Sequence, residues 1–390
     1  MSEWKEYKLG DIATRIGDGL HGTPQYDENG EYYFINGNNI ANGKVVIKNE
    51  TRRVSTEEYE KYLKPLANNT ILLSINGTIG NIGLYNGEKC MLGKSACYIN
   101  LKEGVNRNFV YYNFVNKDFQ EFLQGIATGT TIPNVPLKGL REYDIKLPSS
   151  EEQERIAGIL SSLDDKIDLL TRQNCTLESM AETLFRQYFI ENPKEDWKDG
   201  VIADMIDFNP TRKLSKGTVA PFLEMSNLST TTYAPNGWYD RAFSSGTKFK
   251  NGDTLLARIT PCLENGKTAY VDFLEEEQVA WGSTEYIVMC TKGELHPFFA
   301  YIVAKYQDFR DYAESCMSGS SGRQRVDVDN LKGYEIKMPD SGTIKQFNVC
   351  VESIVGKMNC NNNQIRNLTK LRDTLLPKLM NNEVKIHSYD

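Results

Sequence analysis

Residues able to do chemistry are present in this chain, but not at the spacings that chemistry needs. Gly77-Thr78-Ile79-Gly80-Asn81-Ile82-Gly83 has the glycine content of a loop whose NH groups could cradle a phosphate. It is neither GxGxxG nor a P-loop with its Lys-Ser/Thr, and turn glycines between strands fit it better. Eight cysteines (Cys90, Cys97, Cys175, Cys262, Cys290, Cys316, Cys350 and Cys360) form no CxxC pair, and only His21, His296 and His387 could join them. Neither a zinc site nor a disulfide framework is expected. No GxSxG nucleophile elbow, HExxH or DxDxDG pattern occurs. The paired acids Asp164-Asp165 lie in a helical pattern and read as solvated.

One further stretch, Asp207-Phe208-Asn209-Pro210, approaches the Asn-Pro-Pro-aromatic motif of adenine methyltransferases, but Thr211 stands where the second proline is required. Without a nucleotide, metal or nucleophile site, a binding or scaffolding component is expected rather than an enzyme.

The elements that position these residues belong to a chain of 390 residues, long enough for two or three domains. Its 40% hydrophobic and 25% charged content is that of a folded globular protein. The 45 basic against 52 acidic side chains, a net charge of -7, argue against a general nucleic-acid coat protein; any DNA would be held through local patches. The N-terminus lacks an apolar leader and no run of about 18 apolar residues occurs. With scattered reduced thiols, this gives the expectation of a cytoplasmic chain with no membrane contact.

The sequence is written twice. Trp4-Lys5 followed by Leu9-Gly10-Asp11-Ile12 returns as Trp197-Lys198 followed by Ile202-Ala203-Asp204-Met205, and YDIKLP at 143–148 returns as YEIKMP at 334–339. Between these anchors, TILLS at 70–74 reads like TLLAR at 254–258, and TGTT at 128–131 like SGSS at 318–321. Each copy holds short strand-like runs broken by turn residues, and each is followed by a heptad pattern. After the N-cap candidates Ser149-Ser150, Ile156, Leu160, Leu163, Ile167, Leu170, Asn174, Leu177, Ala181, Leu184 and Tyr188 recur at 4-3 spacing. In the second copy the series is Phe347, Val351, Ile354, Met358, Asn361, Ile365, Leu368, Arg372, Leu375 and Leu379. Each predicts a helix about 50 Å long at 1.5 Å per residue, and each needs a partner for its seam. Residues 151–191 carry four basic and nine acidic side chains, residues 341–390 seven and four, so the two attract. Connection length does not fix the direction of pairing; antiparallel pairing, the arrangement expected, would relate the halves by an approximate two-fold axis. Leu163, Ile167, Leu170 and Leu177 are expected to face Ile354, Met358, Ile365 and Leu368. Asn174 and Asn361 lie on the seam, where a buried polar residue can fix register. The fold class is mixed α+β, with domains at 1–148 and 192–339 and helices at 149–191 and 340–390.

This organisation resembles the specificity (S) subunit of type I restriction-modification systems over essentially the whole chain. The stretches DIKLPSSEEQERIAGILSSLDDKIDLL and GDTLLARITPCLENGKTAYV look like that family's first spacer-helix entry and a target-recognition segment. The second helix entry, Asp340-Ser-Gly-Thr-Ile-Lys-Gln-Phe347, departs from the first, which has Glu-Gln-Glu-Arg-Ile. The resemblance implies a non-catalytic chain in which each target recognition domain reads one half of a bipartite double-stranded DNA site. The helix pair would set the spacer and dock two modification subunits. AdoMet would then sit in the modification subunits, and ATP and Mg in the restriction subunits, with no cofactor or metal in this chain.

Base edges need loop-borne donors and acceptors, and phosphates need Lys, Arg, Ser, Thr and backbone NH groups. In the first domain this singles out His21 and Thr23, Asn36, Asn38 and Asn39, Ser74, Asn76 and Thr78, Lys94 and Ser95, and Thr130, Thr131 and Asn134. In the second it singles out Ser226, Arg258 and Thr260, Glu264, Asn265 and Lys267, and Ser320, Ser321, Arg323, Gln324 and Arg325. Asparagine, glycine and serine also build ordinary turns. The segments 258–267 and 320–325 stand out because they gather four cationic side chains in a unit whose residues 192–340 include 17 basic and 22 acidic ones. The first domain, with 17 of each, is no more basic, so much phosphate neutralisation would fall to the partners. Two other classes compete: a coiled-coil adaptor tethering two non-DNA binding modules, and a stand-alone DNA methyltransferase.

Overall fold

The computed structural model describes residues 4–320 and 322–384 and divides into two units. The first combines the chain up to residue 165 with the segment from 368 onward; the second is residues 166–367.

In the first unit the strands longer than two residues are β1 (Lys5–Lys8), β2 (Ala13–Asp18), β3 (Tyr32–Ile35), β4 (Thr70–Ser74), β5 (Ile82–Leu84), β6 (Cys90–Leu92), β7 (Ala96–Leu101) and β8 (Asp144–Leu147). A four-stranded antiparallel sheet runs in the order β2-β7-β4-β5. Both central strands are buried along their whole length, and each carries an unbroken apolar stretch, Ile71 to Leu73 and Ala96 to Ile99. The two-residue alternation survives as a choice between two cores. Ile71, Leu73, Cys97 and Ile99 pack against helices α1 (Arg107–Val115) and α2 (Lys117–Ile126). Leu72, Ala96 and Tyr98 instead face β3 and β6, which pair in parallel with Tyr33 opposite Cys90. Asn106 and Asn116 start the two helices, their side-chain oxygens accepting from the backbone NH of Phe109 at 3.0 Å and Lys117 at 2.8 Å. β1 closes the unit by pairing with β8, Lys5 opposite Leu147, so the repeated sequence anchors are strand partners.

Helix α3 (Ser150–Phe185) begins where Ser149 Oγ accepts from the Glu152 NH at 3.3 Å. It ends in one wide π turn, Arg186–Glu191, that carries Phe189 into the second unit's core beside Phe185.

The second unit repeats the plan with β9 (Lys198–Val201), β10 (Ile206–Phe208), β11 (Val219–Leu223), β12 (Thr254–Ala257), β13 (Thr268–Tyr270), β14 (Ala280–Gly282), β15 (Tyr286–Thr291) and β16 (Glu335–Met338). The sheet order is β10-β15-β12-β13, β9 pairs with β16, and β11 with β14 is again the parallel pair. Leu256, Ile287 and Met289 face helix α4 (Phe298–Lys305), which α5 (Gln307–Ser315) follows. Leu255, Tyr286 and Val288 face the opposite core. Glu178 of α3 fastens that helix to the unit, accepting from the Tyr233 NH at 3.0 Å and the Tyr301 hydroxyl at 2.8 Å.

Helix α6 (Ser341–Met380) starts at a different cap from α3. Asp340 accepts from the Thr343 NH at 3.0 Å, Lys194 Nζ at 2.6 Å and Trp197 Nε1 at 3.1 Å. These donors hold its carboxyl far below the usual carboxylate range. The altered wording of the second helix entry therefore replaces one N-cap by another.

The two long helices pair in antiparallel fashion. Asp164 meets Arg372 at 2.8 Å, Asn361 donates to Asn174 at 2.9 Å, and the rings of Phe189 and Phe347 stand edge to face with centroids 4.8 Å apart. As one number rises the other falls by the same step to within one residue, the signature of opposite chain directions in a register kept along the pair. Asn174 in turn donates to Asn362 at 2.9 Å, so the buried polar layer has three asparagines where the heptads pointed to two. Leu170, Ile354 and Met358 are buried, while Leu163, Ile167, Leu177, Ile365 and Leu368 are half-buried. A pair of helices shields a seam without closing its flanks, hence the partial burial.

Asp272 links packing to pH. Its Oδ1 is enclosed without a hydrogen-bond partner among the described residues, and burial pushes the carboxyl up to about 6, against the pull of Arg366. An unfolded aspartate ionises near 3.9, so between about pH 4 and 6 the folded form holds the extra proton and stability falls as pH rises. Asp272→Asn should remove this segment of the pH dependence, making the variant more stable relative to wild type at pH 7 than at pH 4. Parallel urea titrations at the two pH values check this; an identical difference at both would contradict it.

Candidate nucleic-acid interface

In the first unit, β2 ends at Asp18, β4 ends at Ser74, β5 begins at Ile82 and β7 begins at Ala96. Three loops, the one after Asp18, 75–81 and 93–95, therefore meet at the same end of the sheet, and two more segments join them. The NH of Leu20 donates to Leu92 O at 2.7 Å, that of Ile75 to Ser95 O at 3.0 Å, and that of Gly77 to Pro133 O at 3.0 Å. Ser95 Oγ accepts from the Gly37 NH and donates to Asn36 Oδ1, both at 2.9 Å. Asn76 Nδ2 donates to Asn134 Oδ1 at 3.2 Å. Gly37 sits so close that a Cβ there would lie 2.9 Å from that of Ser74, an approach only glycine allows.

The sequence candidates of this unit are thus brought together, but in two roles. His21, Thr23, Asn38, Thr78, Lys94, Thr130 and Thr131 are exposed, with His21 Nε2 2.6 Å from Asp18 Oδ2. Asn39 and Ser74 are buried: Asn39 donates to Val46 O and Thr51 Oγ1, and Ser74 Oγ accepts from the Asn81 NH at 2.8 Å. Those two side chains brace the loops from within, and Asn36, Ser95, Asn76 and Asn134 tie neighbouring loops together. Sequence reasoning missed a polar recess beside Asn36 and Asn38, lined by Tyr26, Phe34, Lys48 and Arg52. There the Arg52 guanidinium lies 4.5 Å from the centre of the Tyr26 ring. The doublet Arg52-Arg53 near aromatics was the available signal.

In the second unit the equivalent end of the sheet carries segments 258–267, 283–285 and 318–325. The Arg258 NH donates to Glu285 O at 3.0 Å and the Val326 NH to Arg258 O at 2.9 Å. Thr260 and Gln324 exchange two hydrogen bonds, both 3.1 Å. Three of the four cations singled out have internal partners. Arg258 Nη2 donates to Val326 O at 2.8 Å and Lys267 Nζ to Met225 O at 2.9 Å. Arg325 grips the Glu285 carboxylate with Nε at 3.0 and 2.9 Å and Nη2 at 2.7 Å, holding that carboxyl below its usual range. Arg323 is exposed and has no ion-pair partner among the described residues. Glu264, Asn265 and Ser320 are exposed, Ser226 bonds Glu224 at 3.2 Å, and Ser321 lies outside the described residues. Glu285, forty positions from Arg325 in sequence, carried no signal.

Among the described residues no cluster of histidine, cysteine or acidic side chains could hold a metal, and no helix is long and apolar enough to cross a membrane. Two copies of a loop-bearing sheet end, each followed by a long helix that pairs with the other, give the chain a duplicated two-module plan. Residues 1–179 match the family described as the type I restriction modification DNA specificity domain. The chain is 25% identical to the type I restriction enzyme MjaIX specificity subunit of Methanocaldococcus jannaschii, over 98% of this chain and 94% of that one. To the HindI specificity subunit of Haemophilus influenzae it is 23% identical, over 98% and 100% of the two chains. The crystal structure of a type I S subunit from M. genitalium has the same fold, with a TM-score of 0.57 at 19% identity over 97% of this chain and 96% of that one. Over nearly its whole length the chain is thus similar to specificity subunits of type I restriction enzymes, and its first 179 residues match their DNA specificity domain.

Proposed function

We propose that the loop-bearing sheet end of each unit reads one half of a bipartite double-stranded DNA site, with residues 1–148 and 192–339 as the two target recognition domains. The paired helices, 149–191 and 340–390, set the spacing between the half-sites and dock two modification subunits. Those subunits bind AdoMet and methylate adenine; restriction subunits add cleavage driven by ATP and Mg. The observation that carries this reading is the repetition of one sheet with its exposed polar loops at the same strand ends, each copy joined to an antiparallel helix.

The exposed Thr78, Lys94, Thr130 and Thr131 in one unit and Arg323, Asn265 and Ser320 in the other supply donors of the kinds that base edges and phosphates accept. Neither domain is basic overall, so the bound modification subunits complete the phosphate contacts. Replacing residues 192–339 by the corresponding domain of a relative with another specificity, in the complex with modification subunits, should change one half of the methylated sequence and leave the other. Methylation mapped across a genome reads this directly. A pattern unchanged by the exchange, or equal retention of random and genomic fragments by the complex, would favour the adaptor reading. The purified chain alone should transfer no methyl group.

A further inference from the structure

The grip of Glu285 on Arg325 has a geometry that goes beyond charge neutralisation. A guanidinium presents two hydrogen-bonding edges suited to a planar acceptor pair: a side edge made by Nε and Nη2, and an end edge made by Nη1 and Nη2. The carboxylate occupies the side edge with three contacts between 2.7 and 3.0 Å. Nη1 has no hydrogen bond among the described residues, and the Arg325 side chain is 47% exposed. The end edge is left open to solvent.

Both partners are anchored by their backbones. Glu285 stands just before β15, its NH donating to Ser283 Oγ at 3.1 Å and its carbonyl accepting from the Arg258 NH at 3.0 Å. Arg325 bridges Ile259 and pairs opposite Ser318. A flexible arginine loses rotamer freedom when it docks; here the carboxylate has already fixed its plane.

We infer that Glu285 is a positioning residue that presents the end edge of Arg325 to O6 and N7 of a guanine in the half-site read by the second unit. This rests on the DNA-reading role proposed above and names one base class for it. A guanine edge offers two acceptors matching such a fork. A phosphate fits poorly, because the Glu285 carboxylate compensates the cation and repels a second anion beside it.

The experiment uses the complete complex with modification subunits and a DNA library randomised across the second half-site, read by sequence-resolved methylation. Arg325→Ala should reduce discrimination for guanine at one base pair by about tenfold or more, the scale of one bidentate contact. Glu285→Ala should weaken the preference at the same base pair. The double variant should be no worse than Arg325→Ala, because both act through one contact. Glu285→Gln, nearly identical in shape, should also weaken it and serves as the arm least disturbing to folding; methylation governed by the first half-site reports intact assembly. A Glu285→Gln complex with full guanine preference, a loss spread evenly over all sequences as for a phosphate contact, or an unaffected Arg325→Ala complex overturns the inference. None of these touches the broader reading, which instead falls if the wild-type complex shows no preference at any position of the second half-site.

Discussion

A chain lengthened by seven residues after Leu170 in α3 and by seven after Ile365 in α6 should still assemble and should methylate the same two half-sites separated by about three more base pairs. Each heptad adds about 10.5 Å of helix, close to the rise of three base pairs when ten span about 34 Å. The insertion points follow from the pairing of Asp164 with Arg372 and Asn174 with Asn361, which places 170–171 beside 365–366. An insertion in one helix alone slides one side of the polar layer away from the other, and such a chain should lose assembly. Three base pairs also turn the DNA by about a third of a revolution, so shorter matched insertions separate the effects of distance and phase. Methylation mapping decides the matter. An active complex with both heptads and the original spacer would show the helices to be mere connectors.

Replacing Phe347 by alanine should destabilise the second unit by about 3–5 kcal/mol, the cost typical of emptying a large aromatic site. Phe347 is fully buried and stacks edge-on against Phe189 at 4.8 Å, Phe299 at 6.1 Å and Tyr188 at 6.2 Å. It is the point where both long helices and α4 share one core. Phe347→Leu keeps most of the volume and should cost well under half as much. Chemical denaturation of the two variants beside wild type measures this. A loss below about 1 kcal/mol in Phe347→Ala would mean that the surrounding side chains collapse into the space.

How far the sequence revealed this molecule depended on the range of the interaction concerned. The heptads were legible because a helix brings positions three and four apart onto one face, and Leu170, Ile354 and Met358 are buried on it. Opposite net charges in the two helices were legible by counting, and one instance is the Asp164–Arg372 pair. The pairing of β1 with β8 was present only as matching phrases, since strand partners more than a hundred residues apart leave no periodic trace. The recognition loops were chosen by residue type, and type does not separate an asparagine facing solvent from one bracing a turn. Asn38 and Asn39 are neighbours, yet one is exposed and the other buried with its amide bonded to Val46 and Thr51. Charge alone ranked Arg258, Lys267 and Arg325 beside Arg323; only the fold shows that the first three already have acceptors.

The composition of the first unit has a consequence for the order of events on the ribosome. Its core includes Leu376, Leu379 and Met380 beside Ile156, Ala157 and Leu160, so that core is complete only after the second unit has been translated. At about 5–20 residues per second, the nascent first half waits roughly 10–40 s with an apolar groove open where α6 will lie. A premature stop in the last turns of α6 would thus injure the opposite end of the gene product from the one it truncates, and any exchange of a globular portion must leave both helices in place for either unit to close.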